Sequence, residues 1–315
     1  MQCIRKTSVV MHLCLKILCK WKKDALVLTE KYMDIPAGAE IVSVEDRAVS
    51  ELFSFAETRI PHENRYLVKS RTTEYPYQNY HLFSTMNLEL LFGKKEFYSI
   101  IFLINGELVE EQCPLVRYDG FLNFSQKPFI EYEIKEDTLI LHLRECVYNE
   151  DYKNILHEAA QVCQEKHLTA LELDLSENMG GNSQVIDEFI RYTNTDTYRR
   201  YEMTDFSSGS PVCIASRENI VINQKNKMLF PVKIICRVSN TTFSSARTFA
   251  VTLKDNGIAT IVGEPTGGKP CSYGMPKRDV TPNFNIPFRV SRALFLRPNA
   301  MLEEEETLYP DKKEC

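Results

Sequence analysis

Two side chains within residues 241–269, TTFSSARTFAVTLKDNGIATIVGEPTGGK, have the types needed for covalent chemistry. Ser244 precedes a helix-forming run, and Lys269 sits in a glycine-rich loop. A serine hydroxyl is a weak nucleophile until a base takes its proton, and a lysine amine is such a base only when neutral. Serine–lysine pairs are one form of the serine–base arrangement that attacks acyl carbons. The two residues stand 25 apart, with SSA before the helix and GEPTGGK after the strand. Each also has a purely structural reading. Ser244 suits a helix N-cap, Ser245 competes one place away, and Lys269 between Gly267-Gly268 and Pro270 fits a plain solvated turn. For a lysine to act as base, its reference pKa of about 10.4 has to fall through burial or a cationic neighbour.

The elements that must hold these residues alternate from residue 138 onward. TLILHLRE reads as a strand, 150–166 as a helix, ALELDL as a strand and 183–193 as a helix. Strand 231–238, helix 244–255 and strand 258–262 continue the pattern, and FNIPFRVSRALFL closes the core. Such alternation implies a mostly parallel sheet with crossover helices. Within it, LTALELDLSENMGGNS (168–183) is a buried strand, a Gly-Gly turn and a helix start. Earlier, residues 24–49 form short strands around a Pro-Ala-Gly turn, followed by a helix from near Ser50 and another over 80–92. KEFYSIIFLINGELVEEQCPLV is a hairpin turning at Asn105-Gly106. Residues 119–137 read as a connection, giving an N-terminal region 1–125 and a core 126–315.

Taken together, the serine and lysine segments resemble the C-terminal processing (tail-specific) serine proteases, whose serine lies in an S-A-x-E context and whose lysine lies in GEPTxGKG. Residues 168–183 resemble that family's D-L-R-x-N-x-G-G run, with Asp174, Leu175, Asn178, Gly180 and Gly181 in matching places. The resemblance spans roughly residues 24–300 and is strongest from 130. It implies an α/β fold with a ClpP/crotonase-type core, and IPAGAEIVSVEDRAV resembles half of a PDZ-like module preceding it. It further implies a serine endopeptidase in which Ser244 attacks and Lys269 accepts the proton. The N–H groups of Gly181 or Gly180 and of Ser245 would hold the oxyanion, since glycines let backbone donors approach a developing charge. Tricorn-like bacterial relatives use a histidine from a D-x-H-T-like motif, so His12 in VVMHLCLKILCKW is a second candidate base, or a core residue.

The departures matter as much. Arg247 replaces the family glutamate, Ser176 the arginine of D-L-R, and Tyr273 a glutamine that orients the lysine. Both ends look shortened relative to the family. A protease-like protein that binds peptides without cleaving them is therefore the alternative reading, and labelling by a serine-directed phosphonate separates the two. An acyl-CoA enzyme is a weaker rival with only Glu177 near the glycines.

Composition bounds the rest. The 315 residues are 43% hydrophobic and 26% charged with a net charge of −5, which argues against nucleic acid as partner. No apolar run reaches the roughly 18 residues of a membrane span. The start of the chain has two early cations and an apolar stretch, but Lys16 interrupts it and no small-x-small cleavage site follows, which favours a core element over a signal peptide. Ten scattered cysteines without a C-x-x-C fit buried thiols in a reduced compartment. His12, Cys14 and Cys19 match no zinc spacing, so no metal and no cofactor is implied, and the expected partner is a polypeptide segment. As it stands the chain reads as cytoplasmic, or as extracytoplasmic if a missing N-terminus carried a signal.

Overall fold

The computed structural model describes residues 13–73, 81–117 and 127–313, which form two compact units, 1–126 and 127–315. In the first unit, strands β1 (Cys19–Lys22), β2 (Ala25–Leu28), β3 (Glu40–Val44), β4 (Phe97–Ile104) and β5 (Glu107–Pro114) pair antiparallel in that order. Asn105 and Gly106 both take positive φ (50° and 89°), the backbone a two-residue hairpin turn needs to match the twist of β4 and β5. Helices α1 (Val49–Glu57), α2 (Arg65–Thr73) and α3 (Thr85–Phe92) belong to this unit. Trp21 anchors its core, edge-on to Phe53 at 5.0 Å and donating its indole N–H to Thr72. Leu15 and Ile17 are fully buried there, so the apolar stretch at the start contributes to this core as far as it is described.

The second unit carries the alternating elements. They are β6 (Ile130–Lys135), β7 (Thr138–Leu143), α4 (Glu150–Glu165), β8 (Ala170–Asp174), α5 (Gln184–Ile190), β9 (Glu202–Asp205), β10 (Val212–Ala215) and β11 (Lys233–Val238). Then follow α6 (Ser245–Asp255), β12 (Thr260–Gly263), β13 (Ser272–Val280), β14 (Pro287–Leu296) and β15 (Lys312–Lys313). A six-stranded sheet runs β15-β12-β11-β8-β7-β6, with β6 antiparallel to β7 and every other pair parallel. The core beneath it comes from alternate strand residues (Leu139, Leu141, Leu171, Leu173) and from helix faces such as Leu156, Phe189 and Phe249. Helix α4 starts where Asn149 accepts the N–H of Tyr152, with Glu150 and Asp151 at the positive end of the helix dipole.

Several expectations need correction. The helices expected over 80–92 and 183–193 are shorter, beginning only after the Ser84 cap and ending at Ile190. Helix α2 had no clear sequence signal, because its RYLVKSRTT run buries Leu67 and Val68 among cations and hydroxyls. The run FNIPFRVSRALFL does not close the core. Only its second half does: Ala293 is buried and Phe295 packs on the core, while Phe288, Val290 and their neighbours are exposed in a projecting hairpin.

Candidate active site

Strand β8 ends at Asp174, whose carboxylate accepts the Ser176 N–H at 2.9 Å and faces His142 Nδ1 at 2.9 Å. Burial works against its charge, but the Ser176 and His142 contacts outweigh it and hold the carboxyl below its usual range. The chain then turns through Asn178, which is fully buried. Its amide donates to the Leu143 carbonyl at 2.8 Å, and its Oδ1 accepts the Gly180 N–H at 2.8 Å and the Cys146 thiol at 3.6 Å. Gly180 and Gly181 follow with φ of 109° and 137°, values that side chains rarely adopt. A methyl on Gly181 would stand 2.4 Å from the Cys146 carbonyl oxygen, so backbone approach alone excludes any other residue.

The segment between β11 and α6 is stitched onto this turn. Thr242 donates its hydroxyl to the Leu175 carbonyl at 2.8 Å, and Phe243 N–H donates to the Asn178 carbonyl at 3.1 Å. These bonds deliver Ser244 against the glycines: a Cβ on Gly180 would lie 2.7 Å from the Ser244 Cβ. Ser244 is forced into φ 50°, ψ −125°, a conformation costing about 1–3 kcal/mol that persists only where surroundings impose it. Its exposed hydroxyl does not cap α6 and makes no hydrogen bond among the described residues. The capping reading of Ser244 is thus overturned. The competing Ser245 has its hydroxyl committed to the Gly181 carbonyl at 2.7 Å, and its N–H lies at the open N-terminus of α6.

Ser244, Ser245, Gly180 and Gly181 therefore meet at one point. Lys269 is exposed on the loop between β12 and β13, flanked by buried Gly267, Gly268 and Pro270. Tyr201 holds that loop by donating its phenol to the Pro270 carbonyl at 3.0 Å. His12 lies outside the described residues. Among the described residues no cluster of His, Cys, Asp and Glu could hold a metal, and no helix is long and apolar enough to cross a membrane.

The sequence model of peptidase family S41 matches residues 137–311, more than half of the chain and the whole of this site. The chain belongs to peptidase family S41. Among solved structures, mature CPAF is similar at 13% identity, with a TM-score of 0.64 over 96% of this chain and 78% of that one. Mature CPAF complexed with lactacystin gives 0.65 over 96% and 79%, also at 13% identity. At this identity the likeness concerns the fold. The photosystem II D1 C-terminal processing protease, at 13% identity and TM-score 0.47 over 99% of this chain and 75% of that one, is too distant to argue from. No curated protein sequence matches the chain.

Two residues that this S41 chain uses at the junction were not assigned a role from sequence. Asn178 locks the Gly180 turn, and an asparagine between a strand end and a Gly-Gly pair was the available signal. Arg247 is buried one turn along α6 from Ser244 and donates to the Ser272 hydroxyl at 2.6 Å, tying the start of β13 to the helix.

Proposed function

We propose that this S41 chain is a serine endopeptidase, in which Ser244 is the nucleophile and a polypeptide segment is the substrate. The observation that carries the reading is the strained backbone of Ser244, pressed against Gly180 with its hydroxyl exposed and unengaged while that of Ser245 is bonded. Ser244 Oγ attacks the scissile carbonyl as the base takes its proton. The base returns that proton to the leaving amine, and water then releases the acyl group. Because the Gly180 N–H is already given to Asn178, the oxyanion falls to the N–H groups of Gly181 and Ser245. Lys269 is the proposed base, with His12 the alternative. The ClpP/crotonase-type assignment of the 126–315 core, and a degenerate PDZ-like region within 1–125, belong to the same reading.

A non-catalytic peptide-binding role has two observations in its favour: the Ser244 hydroxyl has no hydrogen bond to any base among the described residues, and Lys269 is exposed rather than buried as a neutral lysine base would be. Labelling by a fluorescent serine-directed phosphonate tests both. Labelling that Ser244→Ala abolishes and Ser245→Ala retains supports the peptidase. A folded parent that neither labels nor cleaves unfolded polypeptide supports the binder.

A further inference from the structure

Strand β13 starts at the active-site junction and leads away from it along an open edge. It is the last strand of the four-stranded order β10-β9-β14-β13, so its outer side has no partner strand in that sheet. Its first residue, Ser272, is bonded to Arg247 on the opening turn of α6. Tyr273 and Met275 are exposed along it. Pro276, which has no N–H to give, is of a kind tolerated on edge strands where the missing donor would face outward.

At the far end, the register sets Arg278 directly opposite Arg289. Directly opposed side chains have Cβ atoms about 5 Å apart, and like charges so placed repel. Neither guanidinium has an ion pair among the described residues, although Asp279 is adjacent and pairs instead with Lys277 at 3.8 Å. The two arginines line a hollow of about 580 Å³ together with Asp279, Val280, Pro287 and Phe288. Val280 and its cross-strand partner Pro287 lie on the same face as the arginines and are exposed, whereas Phe288 pairs with Asp279 on the other face. Two opposed forks beside apolar surface form a seat for one carboxylate flanked by apolar side chains. The hairpin from 272 to 296 is cationic in a chain of net charge −5.

We propose that β13 and the hollow at its tip form a docking strand for extended, acidic polypeptide segments. The segment adds to the open edge of β13, and a carboxylate some way from the scissile bond is gripped between Arg278 and Arg289. Main-chain hydrogen bonds along such an edge give affinity whatever the sequence, and the side-chain seat gives preference. From Ser272 to Arg278 a strand rising about 3.3 Å per residue covers roughly 20 Å, so the preferred acid lies about six residues from the cleaved bond. This substrate class rests on the peptidase reading, while the binding itself does not.

The experiment uses the full chain carrying Ser244→Ala and, as probe, fluorescein-labelled reduced and carboxymethylated α-lactalbumin, an unfolded acidic polypeptide. Anisotropy titrations at low and moderate salt are expected to give binding that Arg278→Gln/Arg289→Gln weakens about tenfold or more, with loss of most of the salt dependence. Lys277→Gln, on the opposite face of the same strand, should weaken it far less. Arg278→Glu/Arg289→Glu should lose the acidic probe and gain an unfolded lysine-rich one. Absent binding by the parent, equal loss with Lys277→Gln, or no loss with the double variant would each overturn the proposal. So would sedimentation showing a dimer that the double variant dissolves, because a second copy would then be the occupant. Phosphonate labelling of the otherwise unmodified chain is read in parallel. If it fails while the acidic probe still binds through the arginines, the peptidase reading falls and the docking strand stands.

Discussion

Replacing Gly180 by alanine should disable the proposed nucleophile, Ser244, through contact alone. The new methyl carbon would stand 2.7 Å from the Ser244 Cβ and 3.0 Å from both the Phe243 carbonyl oxygen and the Ser245 nitrogen. Carbon atoms rest at about 3.5–4.0 Å, so Ser244 and Gly180 must part by roughly 1 Å. Two of the three crowded groups are backbone and cannot rotate away. A displacement of that size at a reacting atom costs about 10²-fold in rate. The φ of 109° adds strain for any residue with a Cβ, and overpacking adds more, together roughly 2–5 kcal/mol. For a unit of this size that lowers Tm by roughly 5–15 °C. The control is Gly209→Ala, where φ is 83° but nothing lies within 4 Å of the added carbon. It shares the backbone strain without the clash, so it should lose about 1 kcal/mol and keep its reactivity. The assay is the second-order rate of phosphonate labelling at a temperature where circular dichroism shows both variants folded. If Gly180→Ala labels within about threefold of a parent that reacts at Ser244, or if Gly209→Ala falls as far, the placement of the nucleophile against this glycine is wrong.

Further outcomes follow from other contacts. Arg297 is fully buried and bonded to Asp255 at 2.6 Å and Glu305 at 2.6 Å, so Arg297→Met should strand the Asp255 charge and cost about 3–5 kcal/mol, while Arg297→Met/Asp255→Leu should recover part of that loss in thermal melts. His81 is buried and its ring is pushed down to about 3 by that burial. The unfolded chain, titrating near 6.5, takes the proton first, so stability of the first unit should fall as pH drops from about 6.5 toward 3, on the order of a few kcal/mol in all. Urea melts across that window should show a shallower pH slope for His81→Gln, and an unchanged slope would refute the assignment. The base is separated by Lys269→Ala, expected to abolish turnover, and by Lys269→Arg, expected not to restore it because a guanidinium stays protonated. Turnover that survives Lys269→Ala and is lost in His12→Ala would transfer the role to the histidine.

Periodicity made the second unit legible, because a strand that buries Leu139 and Leu141, or Leu171 and Leu173, announces itself through its own residues. The Ser244–Gly180 junction was legible for a related reason. Gly-Gly after a strand has few uses other than close backbone approach, and the approach to Ser244 and Cys146 is what it supplies. Other features depend on partners far away in sequence. Whether Ser244 caps its helix could not be read from SSA, since the answer lies in bonds from Thr242 and Phe243 to residues 175 and 178 that impose its backbone angles. The exposed half of β14 fails for a similar reason. FRVSRALFL starts as alternating apolar and polar residues, yet the core meets Ala293 and Phe295, whose face continues outward as Ser291 and Arg289, while the apolar Phe288 and Val290 lie on the other face and are exposed. Alternation records which side chains share a face, and only tertiary pairing decides whether that face meets a core or solvent. In this chain that difference separates the inner end of β14, where Phe295 pairs with Ser272 and packs on the core, from the outer half, where Arg278 and Arg289 stand opposed in solvent.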